Sequence, residues 1–176
     1  MIATDIRSTA LDDPGIRAWL RFLQGHATVT RRLEAELQAD RGMSLAEYDA
    51  LLQIAIAKDG RLRMSELADT LVLSRSGATR LVDRLERAGC LTRTSCPSDA
   101  RGSYAMLTDA GHTRLRDATP VHLRGVREHF LDRIPADELP ELTRTLERLS
   151  APAAADDARC EAAVGLAEDR AESRPR

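Results

Sequence analysis

Aromatic residues are scarce in this sequence: they make up only 3% of its 176 residues. Sheet-rich domains usually need more aromatic and β-branched side chains, so the shortage favours helices. A hydrophobic share of 43% beside a charged share of 31% indicates a globular protein and not a disordered one. The length suits one domain, or one domain with additional arms.

Long apolar runs are absent too. No stretch approaches the ~20 apolar residues that cross a bilayer, and the N-terminus lacks the apolar core of a signal peptide. We therefore expect a cytoplasmic protein with no membrane contact. The three cysteines, Cys90, Cys96 and Cys160, are odd in number and irregularly spaced, so they form neither a disulfide framework nor a CxxC site.

Signatures of enzymes and metal sites are missing as well. The sequence has no nucleophile elbow, no P-loop and no glycine-rich dinucleotide turn, so we predict no enzyme activity, no catalytic residue and no cofactor. Of the four histidines, His122 and His129 lie seven residues apart on one predicted helix. A metal site would favour i, i+4 spacing or acidic partners, so we also predict no metal site.

The sequence does contain a succession of helical patterns. Apolar residues recur at every third or fourth position over residues 14–41, and Gly42 ends this first helix. Ser44, with Glu47 three residues later, forms a capping box. It opens a second helix that we expect to run to about Lys58.

The next elements are short. A helix over residues 64–71 is followed by a tight turn and by another helix, which Ser74 caps and Gly89 ends. Two extended segments, 91–95 and 103–107, flank a tip rich in turn-forming residues, and this pattern predicts a β-hairpin with a long tip. A short helix, a turn, a second helix and a hairpin are the elements of a winged helix-turn-helix.

Two further helices are expected after the hairpin. Thr108 caps a long helix to about Arg133, which Pro120 should kink, and Pro135 begins a last helix with a leucine stripe. The predicted fold is mainly α with a small β-wing. Its parts are an N-terminal arm (1–13), a dimerisation helix (14–43), a winged helix-turn-helix lobe (44–107), dimerisation helices (108–150) and a mobile tail (151–176).

The second helix of the helix-turn-helix has two different faces. Its apolar residues should face the core, and its other side carries hydroxyls and arginines (Ser76, Thr79, Arg80, Asp83 and Arg87, with Arg84 beside them). Residues 74–101 hold six arginines and three acidic residues, a net charge of +3 in a chain of net charge −2. Such a face suits the major groove of DNA, where arginine pairs with guanine. A solvated helix face is the alternative interpretation.

The hairpin adds further candidate DNA contacts. Arg101 at the tip is placed to enter a minor groove, and Asp99 can hold the tip in shape. Arg93, on the first strand, is the remaining DNA contact that we predict. An ordinary charged hairpin tip is the alternative for these residues.

The stretch from Leu71 to Gly89 resembles the recognition helix of MarR-family transcriptional regulators, and Asp99-Ala-Arg101, followed by Leu107-Thr108 and Gly111, is similar to that family's wing signature. The resemblance covers roughly residues 14–150 and implies a homodimer that reads a palindromic operator, usually as a repressor. It makes one set of residues the major-groove or phosphate contacts, namely Ser74, Arg75, Ser76, Thr79, Arg80 and Arg84, and Arg101 the minor-groove contact. Independently of the family, apolar stripes on the first and last helices favour a dimer, because the winged lobe is too small to cover them.

The resemblance also implies a small-molecule effector. MarR-like proteins bind phenolic or other anionic aromatic ligands beside the dimer helices, and binding weakens their hold on DNA. Trp19 and Arg21 on the first helix, with Asp69, are similar to residues of the urate-responsive subgroup, where the tryptophan would stack on a planar ligand. A tryptophan of the core or of the dimer interface is the alternative.

Two other functions stay open. Cys96 lies in the wing near Arg93 and could serve a redox-sensing winged-helix regulator, whereas Cys90 is expected to be buried and inert. The second is a winged helix that binds only proteins. Such a protein would carry apolar residues, and not arginine, serine and threonine, on the exposed face of residues 75–87.

Overall fold

The computed structural model describes residues 13–96 and 99–150, and of Cys96 and residues 99–102 it describes the backbone alone. The described residues form six α-helices and one three-stranded antiparallel sheet. In chain order the elements are α1 (Pro14–Arg41), α2 (Leu45–Ile56), β1 (Arg61–Arg63), α3 (Met64–Thr70), α4 (Arg75–Arg87), β2 (Leu91–Cys96), β3 (Asp99–Leu107), α5 (Asp109–His129) and α6 (Leu139–Ser150). The predicted fold class, mainly α with a small β-wing, is confirmed.

The chain divides into two compact units after Arg133. The first contains α1 to α5 and the sheet, and α6 is the helix described in the second. The boundaries predicted from the sequence stay a prediction, and the proposed tail (151–176) and all but the last residue of the proposed arm (1–13) lie outside the described residues. No helix among the described residues combines the length and apolar character needed to span a membrane.

Several helix ends coincide with local capping signals. The Asp13 side chain accepts hydrogen bonds from the backbone N–H groups of the first turn of α1, and Gly42 ends that helix with a φ of 57°. Ser44 and Glu47 form the predicted capping box of α2. Thr108 caps α5 by accepting a bond from the Gly111 N–H. Each cap satisfies backbone donors that the helix itself leaves without partners.

Three helix boundaries differ from the sequence prediction. α2 ends at Ile56 and not near Lys58, because Ala57 has an extended backbone with a ψ of 148°. α5 ends at His129, a turn before the expected Arg133, and a short 3₁₀ helix follows it. α6 begins at Leu139 and not at Pro135, whose carbonyl instead accepts a turn hydrogen bond from the Glu138 N–H. These ends depend on backbone geometry that apolar spacing does not report.

The sheet contains a strand that the sequence analysis did not predict. β1 pairs antiparallel with β3 over Arg61–Arg63 and Tyr104–Met106, and the strand order is β1-β3-β2. Three residues, two of them arginine, carry no strand pattern, so only the pairing partner creates this strand. The hairpin tip is also shorter than expected, since β2 reaches Cys96 and β3 starts at Asp99.

The core of the first unit joins its helices to the sheet. Buried residues come from α1 to α5 and from β2 and β3, and include Leu37, Tyr48, Leu51, Ile54, Leu67, Leu81, Val82, Leu85, Leu91, Ala105, Leu115 and Val121. The ring of Tyr48 stacks on His122 of α5 with 4.3 Å between centroids. This packing holds α4 in one orientation, with its apolar side inward.

Candidate nucleic-acid interface

The position of α4 follows from its amphipathic sequence. Ala78, Leu81, Val82 and Leu85 are at most 2% exposed and face the core, as predicted. The arginines and hydroxyl residues of the other side are exposed to solvent. The helix therefore presents a polar, basic face along its whole length.

The hydroxyls at the start of α4 already make bonds within the helix. The Ser74 Oγ accepts from the Gly77 N–H at 3.1 Å and lies 3.2 Å from the Ser76 Oγ. Thr79 donates its hydroxyl proton to the Arg75 carbonyl at 2.9 Å. These bonds set the orientation of the hydroxyls, and each oxygen retains capacity to bond a phosphate or a base edge.

The exposed arginines of α4 differ in their partners. The side chains of Arg75 and Arg80 are exposed, and their guanidinium groups form no hydrogen bond or ion pair with another residue of the described ranges. The Arg84 Nε lies 3.6 Å from Glu47 of α2, and the Arg87 Nε donates to the Asp83 carbonyl. Arg75 and Arg80 are thus the two guanidinium groups of α4 whose donors are most available to a ligand.

Arg93 of β2 is engaged by two acidic residues of α4. Its guanidinium donates to Asp83 Oδ1 at 2.6 Å and to Glu86 Oε2 at 3.0 Å, and the Arg93 side chain is only 29% exposed. The geometry favours a role in which Arg93 holds the wing against α4, whereas the sequence analysis placed it among the DNA contacts. That contact stays a prediction. The sequence spacing of 7 and 10 residues between these groups carries no signal of the pairing.

The base of the wing carries two arginines that the sequence analysis did not select. Arg61 and Arg63 of β1 lie over the ring of Tyr104 at 4.8 Å and 5.4 Å from its centroid. The Arg63 Nε also donates to the Tyr104 hydroxyl at 3.2 Å. Because the pairing of β1 with β3 brings these arginines to Tyr104, no pattern in the sequence indicates them. The side chains of Asp99 and Arg101, at the tip, lie outside the described residues.

A close approach of the backbone joins the end of α4 to the start of α5. Thr108 donates to two carbonyl groups, with its backbone N–H to Cys90 and its hydroxyl to Gly89. A Cβ at Gly111 would lie 2.1 Å from the Cys90 carbonyl oxygen, so only glycine fits there. This packing ties the orientation of α4 and the wing to α5.

The predicted effector residues lie on two different helices. Trp19 stacks on Phe22 of the same helix and is 54% exposed, and Arg21 donates to Gln24. Asp69 is exposed on α3. No hydrogen bond, ion pair or ring contact joins Asp69 to Trp19 or Arg21 in the part of the chain that the structure describes. Their joint role therefore stays a prediction.

Other polar residues have clearer surroundings. Cys90 is buried, and its thiol lies 3.7 Å from the Ala88 carbonyl, whereas the side chain of Cys96 is outside the described residues. Burial lowers the pKa of His122 below its ordinary value. The sequence predicted no metal site, but the structure brings Glu36, Glu128 and His129 together between α1 and α5.

Comparisons with known proteins agree with this architecture. Residues 41–102 match the family model described as MarR family. The transcriptional repressor MprA of Escherichia coli (strain K12) is 30% identical over 108 residues, which cover 60% of this chain and 61% of MprA. The transcriptional repressor YetL of Bacillus subtilis (strain 168) is 32% identical over 115 residues, 64% of this chain and 69% of YetL. The chain thus spans less than two thirds of MprA.

A solved structure shows the same fold. Sco3205, a MarR family transcriptional regulator from Streptomyces coelicolor crystallised in complex with DNA, superimposes with a TM-score of 0.70 at 34% identity. The match covers 76% of this chain and 86% of that one. It extends well beyond the segment that the family model matches. The chain therefore belongs to the MarR family of transcriptional regulators.

Proposed function

We propose that this protein is a sequence-specific DNA-binding repressor that acts as a homodimer on a palindromic operator. In each subunit α4 enters the major groove, and the hairpin of β2 and β3 enters the adjacent minor groove. The observation that carries the proposal is the exposed face of α4, on which the guanidinium groups of Arg75 and Arg80 have no partner among the described residues. Guanidinium groups left to solvent beside ordered hydroxyls are suited to base edges and phosphates.

The proposed contacts divide by role. Arg80 reads a base in the middle of α4, Arg75 and Arg84 bond phosphates, and the hydroxyls of Ser74, Ser76 and Thr79 complete the contacts to the groove. Arg101 reaches the minor groove from the tip, which Asp99 shapes. Arg61 and Arg63 add positive charge at the base of the wing.

An exposed apolar surface on α1 supports the homodimer. Five large apolar residues in its first three turns are between 41% and 54% exposed, namely Ile16, Trp19, Leu20, Phe22 and Leu23. Within the second unit, Leu149 of α6 is 71% exposed. Contiguous apolar surface of this kind indicates a protein interface, and a second copy of the chain would bring two recognition helices to two half-sites.

The proposal also includes repression of transcription and release of the protein from DNA by a ligand. MprA and YetL are named as repressors, and Sco3205 was crystallised with DNA. The proposed effector is a small anionic aromatic or phenolic compound that stacks on Trp19, with Arg21 available to its negative group. A ligand that favours one spacing of the two lobes shifts the dimer away from the spacing that fits DNA.

The DNA contacts are tested with binding sites selected from random duplex DNA and measured by fluorescence anisotropy. We expect Arg80→Ala to weaken binding to the selected site by about 1–3 kcal/mol, the range for a good arginine–guanine pair. Arg116→Ala is the matched control, because Arg116 lies on α5 with an exposed side chain. If Arg80→Ala binds the selected site like the unmodified protein, the assignment of α4 as the reading helix is wrong.

The salt dependence of the same titrations tests the electrostatic part. Removing one arginine that bonds a phosphate should reduce the slope of log K against log salt by about 0.9. Arg75→Ala should therefore flatten the slope while preserving the preference for the selected site. A protein that binds only other proteins would show no selected site at all.

The effector is tested separately with Trp19→Ala. This variant should bind DNA normally but fail to respond to aromatic carboxylates and phenols that release the unmodified protein. An Arg31→Ala variant serves as the comparison, because Arg31 is exposed on the same helix and lies outside the apolar surface. An unchanged response of Trp19→Ala removes Trp19 from the effector site.

A further inference from the structure

Three metal-ligating side chains converge where α1 packs on the last turn of α5. Glu36 comes from α1, and Glu128 and His129 come from α5. One ligand atom of each lies within 4.8 Å of the others. None of the three belongs to the proposed DNA-binding face or to the proposed effector site.

Two atoms of this cluster are buried without a hydrogen-bond partner. The His129 side chain is only 8% exposed, and its Nε2 lies 2.5 Å from Glu36 Oε1. That bond leaves His129 Nδ1 and Glu36 Oε2 buried and unpaired. Buried polar atoms in folded proteins nearly always have a partner, so a simple histidine–glutamate bond does not account for this arrangement.

The backbone makes room for the Glu36 carboxylate between the helices. A Cβ at Gly125 would lie 2.7 Å from Glu36 Oε2 and from Leu33 Cδ2, so a larger residue would displace the carboxylate. His129 is also the last residue of α5. The carboxyl end of a helix carries partial negative charge and favours a cation, which adds to the charge of the two glutamates.

We propose that Glu36, Glu128 and His129 form a binding site for a first-row divalent transition metal ion such as Zn²⁺. One imidazole nitrogen and two carboxylates form a donor set that Zn²⁺ accepts, with water completing a tetrahedron. Mg²⁺ and Ca²⁺ prefer oxygen ligands throughout, so the histidine discriminates against them. The ion ties α1 to α5, because its ligands come from both helices. The site does not rest on the proposed DNA binding.

The test uses the full chain after removal of metals with a chelator. Zn²⁺ binding is measured by competition with a chromophoric chelator, and Co²⁺ serves as a spectroscopic probe because its visible absorption reports the number and type of ligands. We expect one ion per chain at this site and at least about a tenfold loss of affinity in Glu128→Gln and in His129→Gln. A direct ligand should matter at least as much as a residue that only orients a ligand, for which losses of about 10–100-fold are usual.

Two controls separate this site from other metal binding. His112→Gln removes an exposed histidine from the same helix and should leave the affinity unchanged. Thiolate ligands would give Co²⁺ an intense charge-transfer band, and the proposed site should give none. Glu128 is exposed, so Glu128→Gln should fold normally even if a change at His129 disturbs the packing of α5.

The outcomes are distinct. Zn²⁺ should raise the midpoint of thermal unfolding of the unmodified protein and of His112→Gln, and not that of Glu128→Gln. If Glu128→Gln binds Zn²⁺ with unchanged affinity, the three-ligand site is wrong, whatever the result for His129→Gln. If neither variant loses affinity, the bond between His129 and Glu36 is structural only.

Discussion

The pairing of Arg93 with α4 can be tested by a double-mutant cycle. Hydrogen bonds to charged groups contribute about 1.5–3 kcal/mol when shielded, whereas exposed ion pairs contribute about 0.2–1 kcal/mol. Arg93 is 29% exposed and its partners Asp83 and Glu86 are 43% and 39% exposed, so the pairs lie between these cases. We expect Arg93→Ala to lower the free energy of unfolding by about 1–2 kcal/mol.

The cycle adds Asp83→Ala and the double variant, each measured by urea denaturation. Neighbouring charged residues should show a coupling energy of about 1 kcal/mol, within the range found for residues that touch. Asp83→Ala alone should cost less than Arg93→Ala, because Arg93 keeps its bond to Glu86. Effects that add to within about 0.5 kcal/mol would refute the pairing, since distant sites behave in that way.

The same variants distinguish a positioning role for Arg93 from direct binding to DNA. If Arg93 holds the wing against α4, Arg93→Ala and Asp83→Ala both weaken DNA binding. If Arg93 binds DNA directly, Asp83→Ala releases its guanidinium and removes a negative charge from the interface. Binding then becomes tighter in Asp83→Ala, so the two variants change the affinity in opposite directions.

Three further predictions concern stability. Gly111→Ala should lower the free energy of unfolding by about 3 kcal/mol or more, because its Cβ would lie 2.1 Å from the Cys90 carbonyl oxygen. Gly25→Ala is the control and should not destabilise the protein, because a Cβ there meets nothing within 4 Å. Equal losses of unfolding free energy for the two variants in urea denaturation would contradict this prediction. Val72→Gly should stabilise by up to about 1 kcal/mol, because Val72 is held at a φ of 52° while 91% exposed, and a drop in the thermal midpoint would contradict it. Burial lowers the pKa of His122 below its ordinary value of 6.5, so the folded protein binds a proton there less readily than the unfolded chain and loses stability as the pH falls below 6.5. His122→Gln should reduce the fall in the thermal midpoint between about pH 7 and 5. A pH profile identical to that of the unmodified protein would contradict this assignment.

The sequence could predict what depends on neighbours along the chain. Caps at Ser44, Ser74 and Thr108 involve residues three positions away, so their spacing is visible in the sequence. The inward face of α4 follows equally from a period of 3.6 residues. The helices, the hairpin and the polar side of α4 were therefore accessible from the sequence alone.

Features that depend on distant pairing were not accessible. β1 exists because it lies beside β3, and its own three residues have no strand pattern. Glu36 and His129 are 93 residues apart in the sequence, and they meet because α1 and α5 pack together. The prediction of no metal site rested on the spacing of histidines along one helix, and such spacing does not reveal acidic partners that another helix supplies.

Ion pairs within the protein engage several of the arginines on and beside α4. Residues 74–101 carry a net charge of +3, but Asp83 and Glu86 bond Arg93, and Glu47 lies near Arg84. Glu47 is also the capping-box residue of α2, so one carboxylate both begins a helix and lies beside a basic residue of α4. Asp83 and Glu86, which reduce the net charge of this segment, pair with Arg93 and so join α4 to β2. The positive potential that DNA would meet is therefore concentrated in fewer arginines than the sequence suggests, and substitutions along α4 should differ sharply in their effect on binding.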